Sequence, residues 1–426
     1  MQDSRPVRAL HHPAFRFLWL GMLGGNSGRW AFTMLSSWLA FSQTHSAATV
    51  GLTVFALQMP SILLAPASGV LADRVPRHRL LIGALAVCGA AVLAAMVLLA
   101  MGLLAAPVLV LIAFVIGCGT TVQSTAQNAL LPRTVHHDAL FEAVALQGTA
   151  RQGAEFFGPA IASPVLALWG PMAALGVMAG LFLAAAVPVL VLGPMVKAPA
   201  TEGRPRKGAA SDLSMLAEGA RYVLGHDVLL PTLLLVATHC LLTMSYMGLL
   251  PTLAQEAGIH AGASYGGLMT TVGLGAVAGT LTVATTLRGA HAGRLLWVLS
   301  LLSAAGVAAL GLASTQATME GAAFLVGAGT ATFMAVAVVR IQRATEDAMR
   351  GRVMSIYLLL AGGAMAVGNW AYGALAADVP ARTLVVAMGI AFTLVVVVAG
   401  TFWRPVRRVY AEAGVSPSSS ASAVAV

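Results

Sequence analysis

The stretch Gly69–Arg79 reads GVLADRVPRHR and forms a short charged segment between two long apolar ones. Residues 50–70 before it carry no charge, and residues 80–110 after it carry none either. A helix needs about 20 apolar residues to cross a bilayer, so both flanking segments are long enough to span a membrane. The sequence therefore predicts two antiparallel membrane helices joined by this turn, with Gly69 allowing close approach of a facing helix.

The charges of this turn are mostly positive, because Asp73 is outnumbered by Arg74, Arg77 and Arg79. Cytoplasmic loops of membrane proteins carry an excess of Lys and Arg. The turn is therefore expected on the cytoplasmic side of the membrane.

These residues resemble the loop 2–3 signature of the major facilitator superfamily, whose pattern is approximately G-x-x-x-D-R-x-G-R-(K/R). Gly69, Asp73, Arg74, Arg77 and Arg79 match it, whereas a proline stands where glycine is usual and a histidine interrupts the basic run. The resemblance implies a twelve-helix secondary transporter made of two six-helix halves.

The composition agrees with a membrane protein. Of 426 residues, 58% are hydrophobic and 9% are charged, against about 25% charged in soluble domains. The net charge of +9 comes mainly from 22 arginines placed beside apolar segments, which favours contact with anionic lipid headgroups over nucleic acid. Cys88, Cys118 and Cys240 lie far apart inside apolar runs, so we predict no metal site and no cofactor.

Twelve apolar segments are expected to span the membrane. Their approximate ranges are 16–41, 49–72, 80–103, 107–126, 141–168, 171–192, 229–250, 264–286, 295–313, 319–339, 353–377 and 381–402. With this assignment, 21 of the 24 Lys and Arg residues fall in the lead, the alternate loops and the tail, and one falls in the other loops. This bias predicts both termini in the cytoplasm, in a bacterial inner membrane.

The predicted domains follow from these spans. Residues 1–193 form an N-terminal six-helix bundle, 194–227 a cytoplasmic linker with an amphipathic helix, 228–403 a C-terminal six-helix bundle, and 404–426 a disordered cytoplasmic tail. In the facilitator architecture that this pattern resembles, substrate binds between the two halves near mid-membrane.

Three charged residues are predicted at membrane depth, away from the ends of the spans: Arg29, Arg151 and Glu155. Charges at membrane depth are costly, so each is a candidate functional residue. Arg151 and Glu155 are four residues apart on one helix face, which makes Glu155 the proton-coupling candidate with Arg151 as its partner. The alternative is a permanent structural ion pair. Arg29 is expected to bind an anionic substrate or pair with Glu155, or else to extend toward the membrane surface.

Uncharged polar side chains in the spans are candidates for lining a substrate cavity. Together with Arg29, the candidates are Asn26, Gln58, Gln123, His239, Tyr246 and Asn369. The alternative is that such residues satisfy one another across packed helix faces. His239 is also a candidate proton carrier, although a single histidine in a helix is more often structural.

Gly158-Pro159 resembles the helix 5 antiporter signature G-x-x-x-G-P-x-x-G-G of facilitator exporters, with alanine or serine in place of the flanking glycines. Gly and Pro permit a bend and close packing in a membrane helix, as a rocking bundle requires. The resemblance implies export, whereas a simple packing kink implies no direction.

The segment Gly351–Ser355 resembles the start of helix 11 in the exporter subgroup that includes enterobactin exporters and macrolide efflux proteins. Asp73 is expected to cap this helix or to pair with Arg352, so that Arg352 and the loop 2–3 residues act as a cytoplasmic conformational gate. The alternative is that these charges serve only membrane topology.

The sequence thus predicts an all-α integral membrane protein that acts as a proton-coupled exporter of amphipathic small molecules, such as a drug, macrolide or siderophore. It is expected to be a monomer whose partners are the substrate, protons and the lipid bilayer. An importer, or a lipid or metabolite transporter on the same fold, is the alternative, and a non-transporting membrane protein is the third. The chain has no G-x-x-x-x-G-K-(S/T) loop for ATP and no loop cluster typical of an enzyme.

Overall fold

A computed structural model of the chain describes residues 8–64, 68, 71, 75–196, 209–258, 262–286, 292–346 and 349–411. These residues form helices and connecting turns without a β-strand. The helices are α1 (Pro13–Thr44), α2 (Ala47–Gln58), α3 (Pro60–Leu63), α4 (Arg77–Ala100), α5 (Ala106–Leu130), α6 (Leu140–Leu192), α7 (Ala209–Leu224), α8 (Leu229–Thr243), α9 (Leu250–Glu256), α10 (Gly262–Thr286), α11 (Ala292–Leu312), α12 (Gln316–Ala344), α13 (Arg350–Leu375), α14 (Ala381–Phe402) and α15 (Arg404–Ala411).

Local sequence signals mark the helix ends. Proline occupies the first turn of α1 and α5, where its missing N–H costs no hydrogen bond. α1 ends at His45 in the left-handed conformation, and Gly102 adopts positive φ after α4. α12 begins with a capping box, in which Thr315 and Thr318 each accept from the other's backbone N–H.

The all-α architecture and the expected twelve spans are confirmed by this helix order. Within the described residues, nine helical stretches are long and apolar enough to cross a membrane, and a shorter apolar one covers Ala47–Leu63. The stretch Glu142–Met195 contains two predicted spans, because α6 is broken at Gly170 (φ 78°, ψ −178°). Only glycine adopts this conformation readily, so Gly170 is where the chain turns between spans 5 and 6.

Each half of the chain packs mainly within itself. In the first half, α1 packs along α6, and α4 packs against α5 and α6. In the second half, α10 packs against α12, and α11 lies between α12 and α14. Between the halves, α6 packs against α10 and α2 packs against α13. The division into two six-helix bundles remains a prediction.

The two ends of the bundle differ in charge. We call the end with Arg77, Arg133, Arg294 and Arg343 the basic face, and the end with His45, Gly102 and Gly170 the opposite face. One continuous apolar core runs through the first half and extends into the second half near the opposite face, where it includes Leu253 of α9. Toward the basic face, the second half has its own core, which includes Val223, Phe333 and Val409. The halves therefore meet mainly at the opposite face.

Two short helices flank the second half at the basic face. α7 is present where the sequence predicts an amphipathic linker helix. The expectation of a disordered tail from residue 404 is corrected by α15, which packs against α8, α11 and α14. Its Val406, Val409 and Tyr410 are buried while Arg404 and Arg407 are exposed, a spacing that buries one apolar helical stripe. Residues 412–426 of that tail lie outside the described residues.

Candidate transport site

The three charged residues predicted at membrane depth come together between α1 and α6. Arg29 and Glu155 are partly exposed and Arg151 is exposed. Each of Arg29 and Glu155 interacts electrostatically with the other two, and these three described side chains do so without a direct ion pair. The group has one negative and two positive charges, so it attracts a further anion or a hydrogen-bond acceptor.

Close packing of α1 on α6 brings these charges together. A Cβ added at Gly158 would lie 2.5 Å from the Ser27 carbonyl oxygen and 2.9 Å from the Ala31 nitrogen. Both atoms are backbone atoms of α1, so the two helices touch here because position 158 has no side chain. Pro159 follows within the helix. Gly158 therefore sets the contact between α1 and α6, and the predicted role of the pair in bending remains a proposal.

Glu155 lies at the boundary between the two halves. A Cβ added at Gly273 of α10 would lie 2.6 Å from both the Glu155 carbonyl oxygen and the Phe156 nitrogen. α10 belongs to the second half and α6 to the first. Movement of one half against the other would therefore change what surrounds Glu155.

Tyr246 approaches Glu155 from the second half. The seventh span is interrupted between α8 and α9 by the 3₁₀ turn Ser245–Gly248, which places the Tyr246 side chain inside the protein. Tyr246 is buried and lies within electrostatic range of Glu155. Interrupted spans are common at transporter binding sites, because they let backbone and side chains line a cavity.

The Asn369 side chain is buried and uses both its polar atoms in hydrogen bonds within the protein in this conformation. Its side-chain oxygen accepts from Gly248 N at 2.7 Å, and its side-chain nitrogen donates to Met365 O at 2.8 Å. Its backbone carbonyl faces Gly51 of α2. The side chain is fully buried, so it holds the interrupted seventh span against α13 instead of facing an open surface.

The other residues predicted to line a cavity differ in how far their side chains are exposed. Asn26 is partly exposed on α1, whereas Gln58 and Gln123 are buried. His239 is fully buried in the second half, stacked on Phe333 at 3.9 Å between ring centres and edge-on to Phe392 at 5.3 Å. Neither ring nitrogen of His239 has a hydrogen-bond partner. The structure therefore places Arg29 and Tyr246 within electrostatic range of Glu155, and places His239 inside the second half.

The predicted gate residues are described in part, because Gly69, Asp73 and Arg74 lie outside the described residues. Arg77 donates to Ala129 O at 2.9 Å, which attaches the start of α4 to α5, and Arg79 is exposed.

Arg352 forms an ion pair with Glu218 of α7 at 2.7 Å. The helix that precedes the second half is thereby tied to the start of α13. Sequence reasoning missed Glu218 as this partner, because several other carboxylates in the segments at that face carry similar sequence signals.

Two further contacts were also missed. Glu256 of α9 accepts from the backbone N–H groups of Ala381 and Arg382 and so caps α14. A Cβ added at Gly51 of α2 would lie 3.2 Å from Gly373 Cα of α13. Small residues four positions apart on a helix indicate a close contact with another helix. Residues 47–51 read A-x-x-x-G and residues 369–373 read N-x-x-x-G, so the sequence carries a partial signal for this contact.

The long apolar helices, with a charged group between α1 and α6 beside the boundary of the halves, are those of a polytopic membrane protein. The transmembrane secretion effector family model matches residues 4–421, so the chain belongs to that family of the major facilitator superfamily. Membership implies a membrane transporter. No curated protein matches the sequence.

Solved structures of the same fold include several transporters. A nucleoside transporter, NupG (D323A mutant), is 12% identical with a TM-score of 0.67, over 91% of this chain and 98% of that one. A bacterial homologue of the iron transporter ferroportin, in an inward-facing state, is 17% identical with a TM-score of 0.66, over 91% and 98%. A POT family transporter in complex with 5-aminolevulinic acid is 12% identical with a TM-score of 0.67, over 92% and 96%. At these identities the likeness shows the fold alone.

Proposed function

We propose that this protein is a proton-coupled exporter of amphipathic small molecules, and that Glu155 carries the coupling proton. The observation that carries the proposal is the position of Glu155, partly exposed in the first half and directly against α10 of the second half. Desolvation favours the neutral form of a carboxylate, and water favours its charged form. A carboxylate at a moving boundary therefore binds a proton when the boundary closes and releases it when water enters.

Arg29 and Arg151 give this site a second function. With Glu155 charged, the group carries a net charge of +1, and protonation of Glu155 raises it to +2. A substrate with an acidic or strongly accepting group on an apolar body would therefore compete with the charged carboxylate for the two arginines. This competition links proton binding to substrate binding, which an exchange mechanism requires.

The direction of transport is supported by family membership and by charge. The family is described as a secretion effector family, which favours outward movement. The basic face is the cytoplasmic side under the positive-inside rule, which places both termini in the cytoplasm of a bacterial inner membrane. The halves are joined at the opposite face. This conformation then corresponds to a site that receives substrate from the cytoplasm.

The gate remains part of the proposal. Arg352 lies at the start of α13, beside the linker helix α7, and its ion pair with Glu218 is partly exposed. When the basic face closes, Arg352 is expected to exchange this partner for Asp73 of the loop 2–3 signature. The alternative is that both arrangements serve topology alone.

The test is accumulation of a compound panel in a host that lacks its own efflux pumps. Dyes, macrolides and catecholate siderophores are compared in cells that express wild type, Glu155→Gln and, as matched control, Glu320→Gln. Glu320 is a partly exposed carboxylate of the second half, in the first turns of α12, where it accepts from Gln316 Nε2 at 2.9 Å. We expect lower accumulation with wild type and Glu320→Gln, and loss of this effect with a protonophore or with Glu155→Gln. Export that survives Glu155→Gln would reduce Glu155 to a structural role.

Import by the same fold is the alternative function. Uptake of labelled compound into vesicles with an imposed pH gradient separates the two, because antiport and symport move substrate in opposite directions relative to protons. Accumulation of substrate on the side of higher proton concentration supports export from the cell. Accumulation on the other side would replace the proposal with proton-driven import.

A further inference from the structure

A cavity of about 250 Å³ lies at the basic face of the second half, remote from the charged site between the halves. It is an open cavity lined by α11, α14 and the tail helix α15. Its lining residues are Arg294, Trp297, Val397, Gly400, Thr401 and Tyr410. The proposed transport function does not use any of them.

The polar groups of this cavity are hydrogen-bond donors. The Tyr410 hydroxyl is buried near Ser300 but makes no hydrogen bond of ordinary geometry. Burial raises the pKa of Tyr410 to about 12, so the hydroxyl keeps its proton in any ordinary medium. The Trp297 indole nitrogen faces the same space, 3.8 Å from where a Gly400 Cβ would stand.

Among the described residues that line the cavity, Arg294 carries a positive charge and none carries a carboxylate. Arg294 is exposed at the rim. The Thr401 hydroxyl donates to the Val397 carbonyl at 2.8 Å, which leaves its oxygen as a weak acceptor. A guanidinium and an indole N–H beside one space, with the Tyr410 ring as its wall, form an environment suited to an anionic oxygen group.

The surroundings of the cavity are apolar and exposed. Val398 is 51% exposed and Phe402 is 83% exposed, and Trp297 and Trp403 are also exposed. Aromatic and basic residues at the end of a membrane helix are typical of the interface between lipid tails and headgroups. A free ion would gain nothing from these apolar side chains, whereas an acyl chain would cover them.

We propose that this cavity binds the headgroup of an anionic phospholipid, with the phosphate beside Arg294 and Trp297 and an acyl chain along the exposed valines of α14. The tail helix closes the site. A Cβ added at Gly293 would lie 2.5 Å from the Val409 carbonyl oxygen, so α15 rests directly on the start of α11. A lipid bound here touches α11, α14 and α15 together, and it therefore holds α15 on the bundle.

The test is lipid binding to the purified full-length protein, followed by native mass spectrometry after titration with phosphatidylglycerol or phosphatidylcholine. Wild type is compared with Arg294→Gln and with the matched control Arg343→Gln, which removes an exposed arginine at the same face outside the cavity. We expect preference for phosphatidylglycerol in wild type and in Arg343→Gln. Arg294→Gln should weaken this binding at least tenfold, as expected for loss of a charged hydrogen bond.

A second pair of variants tests the space itself. Gly400→Ala adds a Cβ at ordinary contact distance, 3.4 Å from the Tyr410 ring, and should bind phosphatidylglycerol as wild type does. Gly400→Leu should fill the cavity and abolish the preference. Equal binding by wild type, Arg294→Gln and Gly400→Leu would overturn the proposal. Full competition by millimolar inorganic phosphate would also overturn it, because the site would then be one for a soluble anion.

Discussion

The contact between α2 and α13 at the opposite face offers a direct way to shift the conformation of the protein. A Cβ added at Gly51 would lie 3.2 Å from both Asn369 C and Gly373 Cα, and closer still to the Asn369 carbonyl oxygen. These are backbone atoms of a regular helix, so they cannot move aside alone. Gly51→Ala therefore pushes the halves apart where they now meet.

The expected size follows from the cost of overpacking, about 1–3 kcal/mol for a methyl group in a tightly packed contact. A cost of that size changes a two-state equilibrium about 5–150-fold, away from the conformation described above. Gly83→Ala is the matched control, because it makes the same change within helix α4 with no atom within 4 Å of the new Cβ. The control also corrects for the higher helix propensity of alanine.

The assay is double electron–electron resonance between spin labels at Met101 of the first half and Asp378 of the second, both exposed at the opposite face. We expect a longer distance to gain population in Gly51→Ala and not in Gly83→Ala. If both variants gave the wild-type distance distribution, the halves would not be held together by this contact. The account of opening at the opposite face would then be wrong.

Three further predictions concern single side chains. Glu256→Ala should lower the free energy of unfolding by about 1–2 kcal/mol, since it leaves two N–H groups of α14 without their carboxylate cap; thermal unfolding in detergent measures this loss. Arg352→Ala should change stability by less than about 1 kcal/mol, because its partner Glu218 is 58% exposed, so a larger effect on transport than on unfolding would indicate the gate role. His239→Leu should leave stability unchanged or raise it by about 1 kcal/mol, since both ring nitrogens are buried without partners. Loss of pH-dependent transport in folded His239→Leu would instead identify His239 as a proton carrier.

The helices and the two halves were predictable from sequence because each span is a long apolar run with its own ends. The break between spans 5 and 6 was expected between residues 168 and 171, and the structure has it at Gly170. The tail helix α15 was missed, because eight residues with three arginines resemble a solvated charged segment. Its burial depends on a groove between α11 and α14 that no local pattern reveals.

Only the charged residues of the candidate site could be predicted from the sequence. Arg29, Arg151 and Glu155 are conspicuous because charged residues are rare in membrane spans. Uncharged polar residues carry no such signal. Asn26, His239 and Asn369 all lie within predicted spans, yet His239 and Asn369 are fully buried and Asn26 is partly exposed. Which of them faces an open surface depends on how the halves are rotated, which a single sequence does not encode locally.

The most direct test of the central claim is the release of protons in exchange for substrate. Inverted membrane vesicles that contain the protein are acidified by respiration, and an internal pH-sensitive dye reports proton efflux when a compound identified by the accumulation panel is added. We predict that the compound raises internal pH with wild type and with Glu320→Gln, and has no effect with Glu155→Gln. Proton release that is equal in Glu155→Gln and wild type, or substrate transport by wild type with no proton release, would contradict proton exchange at Glu155.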